Sequence, residues 1–76
     1  MTLADKINAA LDANKTVTVA TYMRVVNVKA KHRAEWAAVG FDYFKSDSKG
    51  ATLMIIGTKN RKPLYACIDY ARVTAA

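Results

Sequence analysis

From Thr16 to Lys29 the chain reads TVTVATYMRVVNVK, a run rich in β-branched residues whose apolar side chains fall on alternate positions. Successive side chains of an extended strand point to opposite faces, so Val17, Val19, Met23 and Val25 share one face and Thr16, Thr18, Tyr22 and Arg24 the other. The pattern predicts one long, half-buried strand. Its alternation falters at Val25-Val26, where a bulge or a switch of buried face is required. A strand with one apolar face must cover that face, and the helices and strands on either side are what the chain has to cover it with.

Upstream, Thr2 is suited to cap a helix, with Asp5 three residues later near the positive end of the helix dipole. Leu3, Ile7, Ala10 and Leu11 recur at helical spacing, which predicts an amphipathic helix over 3–13. Asn14 tolerates the left-handed conformation that ends such a helix. Downstream, HRAEWAAV (32–39) predicts a short second helix anchored by Trp36 and closed by Gly40. Three strand-like runs follow, at 41–46, 51–58 and 64–73, separated by SDSKG and KNRKP. Asp47, Ser48 and Gly50 in the first connector, and Asn60 and Pro63 in the second, are turn residues. The three runs should form an antiparallel meander, with Gly57 marking a bulge or a close backbone approach.

The expected fold is therefore a single α+β domain over residues 1–76, in the order α-β-α-β-β-β. It would be a mostly antiparallel four-stranded sheet with both helices on one face. The other face would lie open to solvent or a partner. Of the 40 apolar residues, 14 are Ala, which leaves 26 larger side chains for a core. A chain of this size buries only about 60% of the surface that its unfolded form exposes, so homodimerisation is expected to add stability.

Cys67 is the one cysteine and has no internal disulfide partner, which suits a reducing, cytoplasmic setting. The N-terminal segment lacks the uninterrupted apolar stretch of a signal peptide, and no run approaches the length that crosses a bilayer, so no membrane association is expected. Catalysis finds little to work with. His32 stands in the basic run KAKHR and reads as a solvent-exposed loop residue, and Cys67, in LYACIDY, reads as a buried core filler or interface residue. Asp69 reads as half of an ion pair with a nearby base such as Arg72. No metal-ligand spacing, phosphate loop or dinucleotide fingerprint is present, so neither a cofactor nor enzymatic activity is expected.

What remains is charge beside aromatic residues. The net charge is +6, and residues 15–76 hold eleven of the twelve bases and four of the six acids, a local excess of +7. Lys29, Lys31 and Arg33 cluster after the first strand, and Lys59, Arg61 and Lys62 in the turn before the last. Basic turns also serve simply to keep hairpin tips hydrated. If the two segments converge, six cations face a common phosphate backbone. Tyr22 and Arg24 would join them from the outer face of the first strand, where outward tyrosines can stack unpaired bases. By alternation one of Tyr43 and Phe44, and one of Tyr65 and Tyr70, also points outward.

Two functional expectations follow. One is a small basic nucleic-acid-binding module that grips the phosphate backbone without strong sequence specificity. The other is a small protein-interaction or inhibitor factor, of the kind that phages and mobile elements encode, whose basic groups engage an acidic protein surface on a larger host complex.

Overall fold

The structure, a computed structural model, describes residues 2–22 and 24–76; the inner-face position expected for Met23 lies outside the described residues. Helix α1 spans Leu3–Asp12. The Asp5 N–H donates to Thr2 Oγ1 at 3.1 Å and the Thr2 N–H donates back to Asp5 Oδ2 at 3.2 Å, a reciprocal cap that satisfies two amides the helix cannot. Ile7 and Leu11, one turn apart, are both buried. Asn14 ends the element at φ 61°, as its tolerance of the left-handed region requires.

The run 16–29 is not one strand. It folds back into β1 (Val17–Ala20) and β2 (Val25–Val28), which pair antiparallel with Val17 opposite Val28 and Val19 opposite Val26. The Thr21 N–H donates to the Arg24 carbonyl at 2.9 Å, and the Arg24 N–H donates to Thr21 Oγ1 at 3.0 Å, closing the turn. Reversal shifts the phase of the alternation, and this is what the Val25-Val26 doublet records. Val17, Val19, Val26 and Val28 now share the inner face, while Val25 is exposed. A straight strand over 16–29 would extend about 45 Å, and the longest dimension of the molecule is 31 Å.

Helix α2 runs Ala30–Ala38, beginning two residues earlier than expected, and Gly40 follows it at φ 91°. Trp36 is half-buried against the core, with its ring edge-on to Phe41 at 5.9 Å. Strands β3 (Phe44–Ser46), β4 (Thr52–Lys59) and β5 (Lys62–Cys67) form the expected antiparallel meander. Pro63 stands within β5, at the edge of its sheet, where a missing N–H interrupts no interior ladder.

The last run also divides. The Ala71 N–H donates to the Ile68 carbonyl at 3.0 Å, turning the chain at 68–71, and Ile68 is fully buried. Strand β6 (Arg72–Ala75) then crosses to pair with β1, placing Val73 opposite Val19 and Ala75 opposite Val17. The expected four-stranded sheet therefore gives way to two three-stranded antiparallel sheets, ordered β2-β1-β6 and β3-β4-β5. The α+β class stands and the topology differs. One core joins the two sheets: Ile7 and Leu11 from α1, Val17, Val19 and Val28 from the first sheet, and Tyr43, Met54, Ile55, Ile56 and Ile68 from the second sheet and its flanks.

Candidate nucleic-acid interface

The β4–β5 connection is the tightest possible hairpin. Lys59 lies opposite Lys62, and the two residues between them, Asn60 and Arg61, have φ 52° and 63°. Positive φ at both central positions marks a type I′ turn, whose twist matches that of the strands it joins. Asn accepts this geometry readily. Arg does not: its Cβ crowds the following carbonyl at a cost of about 1–2 kcal/mol, which is why glycine usually occupies the second position. Lys59 and Lys62 also oppose like charge to like across the ladder, a further destabilising contact. Lys59, Arg61 and Lys62 are all exposed, and none is paired with a carboxylate; the one ion pair among the described residues joins Arg33 to Asp12. Two local rules are thus broken within four residues, and in both cases the result is a cation presented to solvent. Local strain of this kind concentrates where a surface has work to do.

Behind the tip lies a cleft of about 200 Å³. Asn27 from β2, His32, Glu35 and Trp36 from α2, Ile56, Gly57 and Thr58 from β4, and Tyr43 are among the residues that line it. Lys29 and Lys31 lie between Asn27 and His32 in sequence, and Lys59 follows Thr58. Each basic segment thus adjoins a residue of this lining in the chain, with adjacent Cα atoms 3.8 Å apart. His32 belongs to this lining and not to an exposed loop. It is half-buried in the first turn of α2, where its Nδ1 accepts the Lys29 N–H at 3.1 Å.

Arg33 points elsewhere. Its Nη1 donates to Asn8 Oδ1 at 2.8 Å and its Nη2 to Asp12 Oδ1 at 2.6 Å, clamping α2 onto α1. Tyr22 and Arg24 are not on the outer face of a strand but in the β1–β2 turn. The register between β4 and β5 shifts between Ile55 and Gly57, which leaves Ile56 without a partner on β5, and the Ile56 carbonyl instead accepts Arg24 Nη1 at 3.2 Å. A Cβ on Gly57 would stand 3.0 Å from that nitrogen. Of the two alternatives expected of Gly57, the bulge is present; the group that approaches it closely is a side chain and not backbone.

The remaining aromatic positions resolve as follows. Tyr43 is buried and Phe44 half-buried. Tyr65 is half-buried under Lys45, whose Nζ sits 4.0 Å from the ring centre, and its hydroxyl donates to the Asp42 carbonyl. Tyr70 points into solvent. Burial raises the Tyr43 hydroxyl above its ordinary pKa, and burial reinforced by the Asp42 charge does the same for Tyr65, so both remain neutral donors at physiological pH. Cys67 is exposed, not a core filler, because β5 is an edge strand and Leu53 alone stands opposite it. Asp69 makes no ion pair with Arg72. Its carboxylate accepts the Thr52 N–H at 3.2 and 3.3 Å, pinning the 68–71 turn to the start of β4.

Among the described residues, no group of three His, Cys, Asp or Glu side chains is placed to hold a metal ion, and no helix is long and apolar enough to cross a membrane. No protein-family model, curated protein or solved structure matches this chain.

Proposed function

We propose that this protein is a non-catalytic nucleic-acid-binding module that holds the phosphate backbone without strong sequence specificity. Lys59, Arg61 and Lys62 at the β4–β5 tip make the principal contacts, and Lys29 and Lys31, just before His32 and its cleft in the chain, add two more. The single observation that carries the reading is the strained cationic tip: an arginine in the left-handed region between two lysines that face each other. Nothing in the turn's own stability calls for that arrangement, whereas a row of phosphates repays it by neutralising all three charges. Arg33, engaged by Asn8 and Asp12, supports the fold of this surface more than its contacts.

Five cations acting on phosphates predict a log–log salt slope of about −3.5 on single strands and about −4.5 on duplex DNA. Affinity should accordingly fall by about two orders of magnitude between 50 and 200 mM salt. Fluorescence anisotropy of labelled oligonucleotides at several salt concentrations measures it directly. Replacing Lys59, Arg61 and Lys62 together by Ala should flatten the slope by about 2–3. Absence of binding to single- and double-stranded DNA and RNA at low salt refutes the reading.

The exposed Tyr22, Val25 and Tyr70 favour a second reading, docking on an acidic face of a larger host complex, because tyrosine and arginine dominate protein-binding hot spots. A complex of that kind persists in several hundred millimolar salt, whereas a phosphate-bound one does not. Self-association through a free sheet edge and a cytoplasmic setting for the unpaired Cys67 belong to both readings.

A further inference from the structure

Two of the four tyrosines take almost no part in packing. Tyr22, in the β1–β2 turn, is 97% exposed, and Tyr70, in the 68–71 turn, is 99% exposed. A packed tyrosine withdraws about 150–250 Å² from water, and a domain this poor in large apolar side chains leaves two such rings in solvent. They are not scattered. Both line one groove of about 230 Å³, whose remaining lining is Thr21, Cys67 and Ala71.

The first turn joins two strands of one sheet, and the second carries the chain from the other sheet to this one. The first is closed by the reciprocal bonds of Thr21 and Arg24, and the second by the Ala71–Ile68 bond, the buried Ile68 and the grip of Asp69 on the Thr52 N–H. The other lining residues are small, and both tyrosines are almost fully accessible to a ligand in the groove. One cation adjoins it. Arg72, exposed, follows Ala71 in the chain and lies opposite Ala20, one residue from Thr21, whereas the Arg24 guanidinium donates to the Ile56 carbonyl at the first cleft. Asp69, three residues before Arg72, is turned onto a backbone amide and makes no ion pair with it.

We propose that this groove receives an unpaired base of a single-stranded nucleic acid, stacked on Tyr22 and Tyr70, with Arg72 contacting a flanking phosphate. The inference rests on the nucleic-acid reading above and extends it to a substrate class. An apolar groove lined by two exposed tyrosines matches the face of a base, and Arg72 beside Ala71 matches the charge next to that base. Within a duplex the faces of the bases are already stacked, so the groove selects single strands. A protein partner fits less well, since a groove of about 230 Å³ is too small to supply a broad apolar contact.

The test compares a fluorescently labelled oligo(dT) with an abasic strand of equal length, which keeps the charge and removes the bases. The intact protein should bind oligo(dT) on the order of tenfold more tightly than the abasic strand. Tyr22→Ala and Tyr70→Ala should each abolish much of that preference while leaving abasic binding, the salt slope and thermal unfolding unchanged, and Tyr22→Trp should retain it. Equal affinity for the two strands, or Ala variants that keep the preference, overturns the base slot and leaves the phosphate-backbone reading intact. Loss of self-association in place of base preference in Tyr70→Ala also overturns it, by placing a second protein surface in the groove. Binding to neither strand overturns both proposals.

Discussion

Replacing Arg61 by glycine sets stability against binding at one residue. Arg61 sits at φ 63° as the second central residue of a two-residue hairpin. Removing its Cβ relieves about 1–2 kcal/mol of left-handed crowding. Glycine gives back about 0.4–1 kcal/mol through the greater freedom of the unfolded chain, while removing a charge from between Lys59 and Lys62 adds a few tenths. The net expectation is a gain of about 0.5–1 kcal/mol. For a chain of 76 residues that raises Tm by about 5 °C. Far-UV circular dichroism or the emission of the single Trp36 follows the melt. Binding should move the other way, with the salt slope on single-stranded oligonucleotides falling by about 0.7 as one phosphate contact is lost. Arg61→Asn, which keeps a side chain tolerant of positive φ but discards the charge, should show the binding loss with a smaller gain in stability. A lower or unchanged Tm for Arg61→Gly refutes the argument from backbone strain, and unchanged affinity removes the hairpin tip from the binding surface.

Arg33→Ala should lower stability by about 1 kcal/mol, since it severs a part-buried bond to Asn8 and a largely exposed pair with Asp12, yet leave the salt slope as it was; a slope change near one would assign Arg33 to the interface. Gly57→Ala forces Arg24 Nη1 back by a few tenths of an ångström from its 3.0 Å approach, weakening its bond to Ile56 at a cost below about 1 kcal/mol, measurable by urea unfolding. A loss of several kcal/mol would mean that the backbone of β4, and not the flexible end of Arg24, has to move. The raised Tyr43 pKa means that the folded state holds a proton that the unfolded state releases, so its contribution is intact below about pH 10 and is lost as pH rises through the folded value. Tyr43→Phe should flatten the alkaline limb of stability against pH, and an unaltered limb would contradict that assignment.

Much of the local structure was legible residue by residue. Thr2 and Asp5 announce the start of α1, Asn14 its end, Gly40 the end of α2, and the SDSKG and KNRKP connectors the strands around them. The cationic tip was legible as composition, and its conformation was not, because Asn-Arg is no ordinary type I′ pair. Arg33 parts from the basic cluster for a similar reason: its neighbours in sequence are basic, and its partners lie 25 and 21 residues away. The groove between Tyr22 and Tyr70 left little trace in the chain beyond Asp69, a turn former inside an otherwise apolar run.

The sequence by itself determined the caps, the turns at 47–50 and 60–61, the meander and the uneven charge, because each depends on contacts within about four residues along the chain. Tertiary structure alone decided where two strand-like runs would break. Neither 20–25 nor 68–71 contains a glycine or proline to force a turn. The reversals arise because folding back sets Val26 and Val28 against Val19 and Val17, and carries Val73 across to Val19, within a molecule 31 Å long. Burial of that shared core is a non-local gain that no window of the sequence displays. Those same two reversals bring Tyr22 and Tyr70 to one groove.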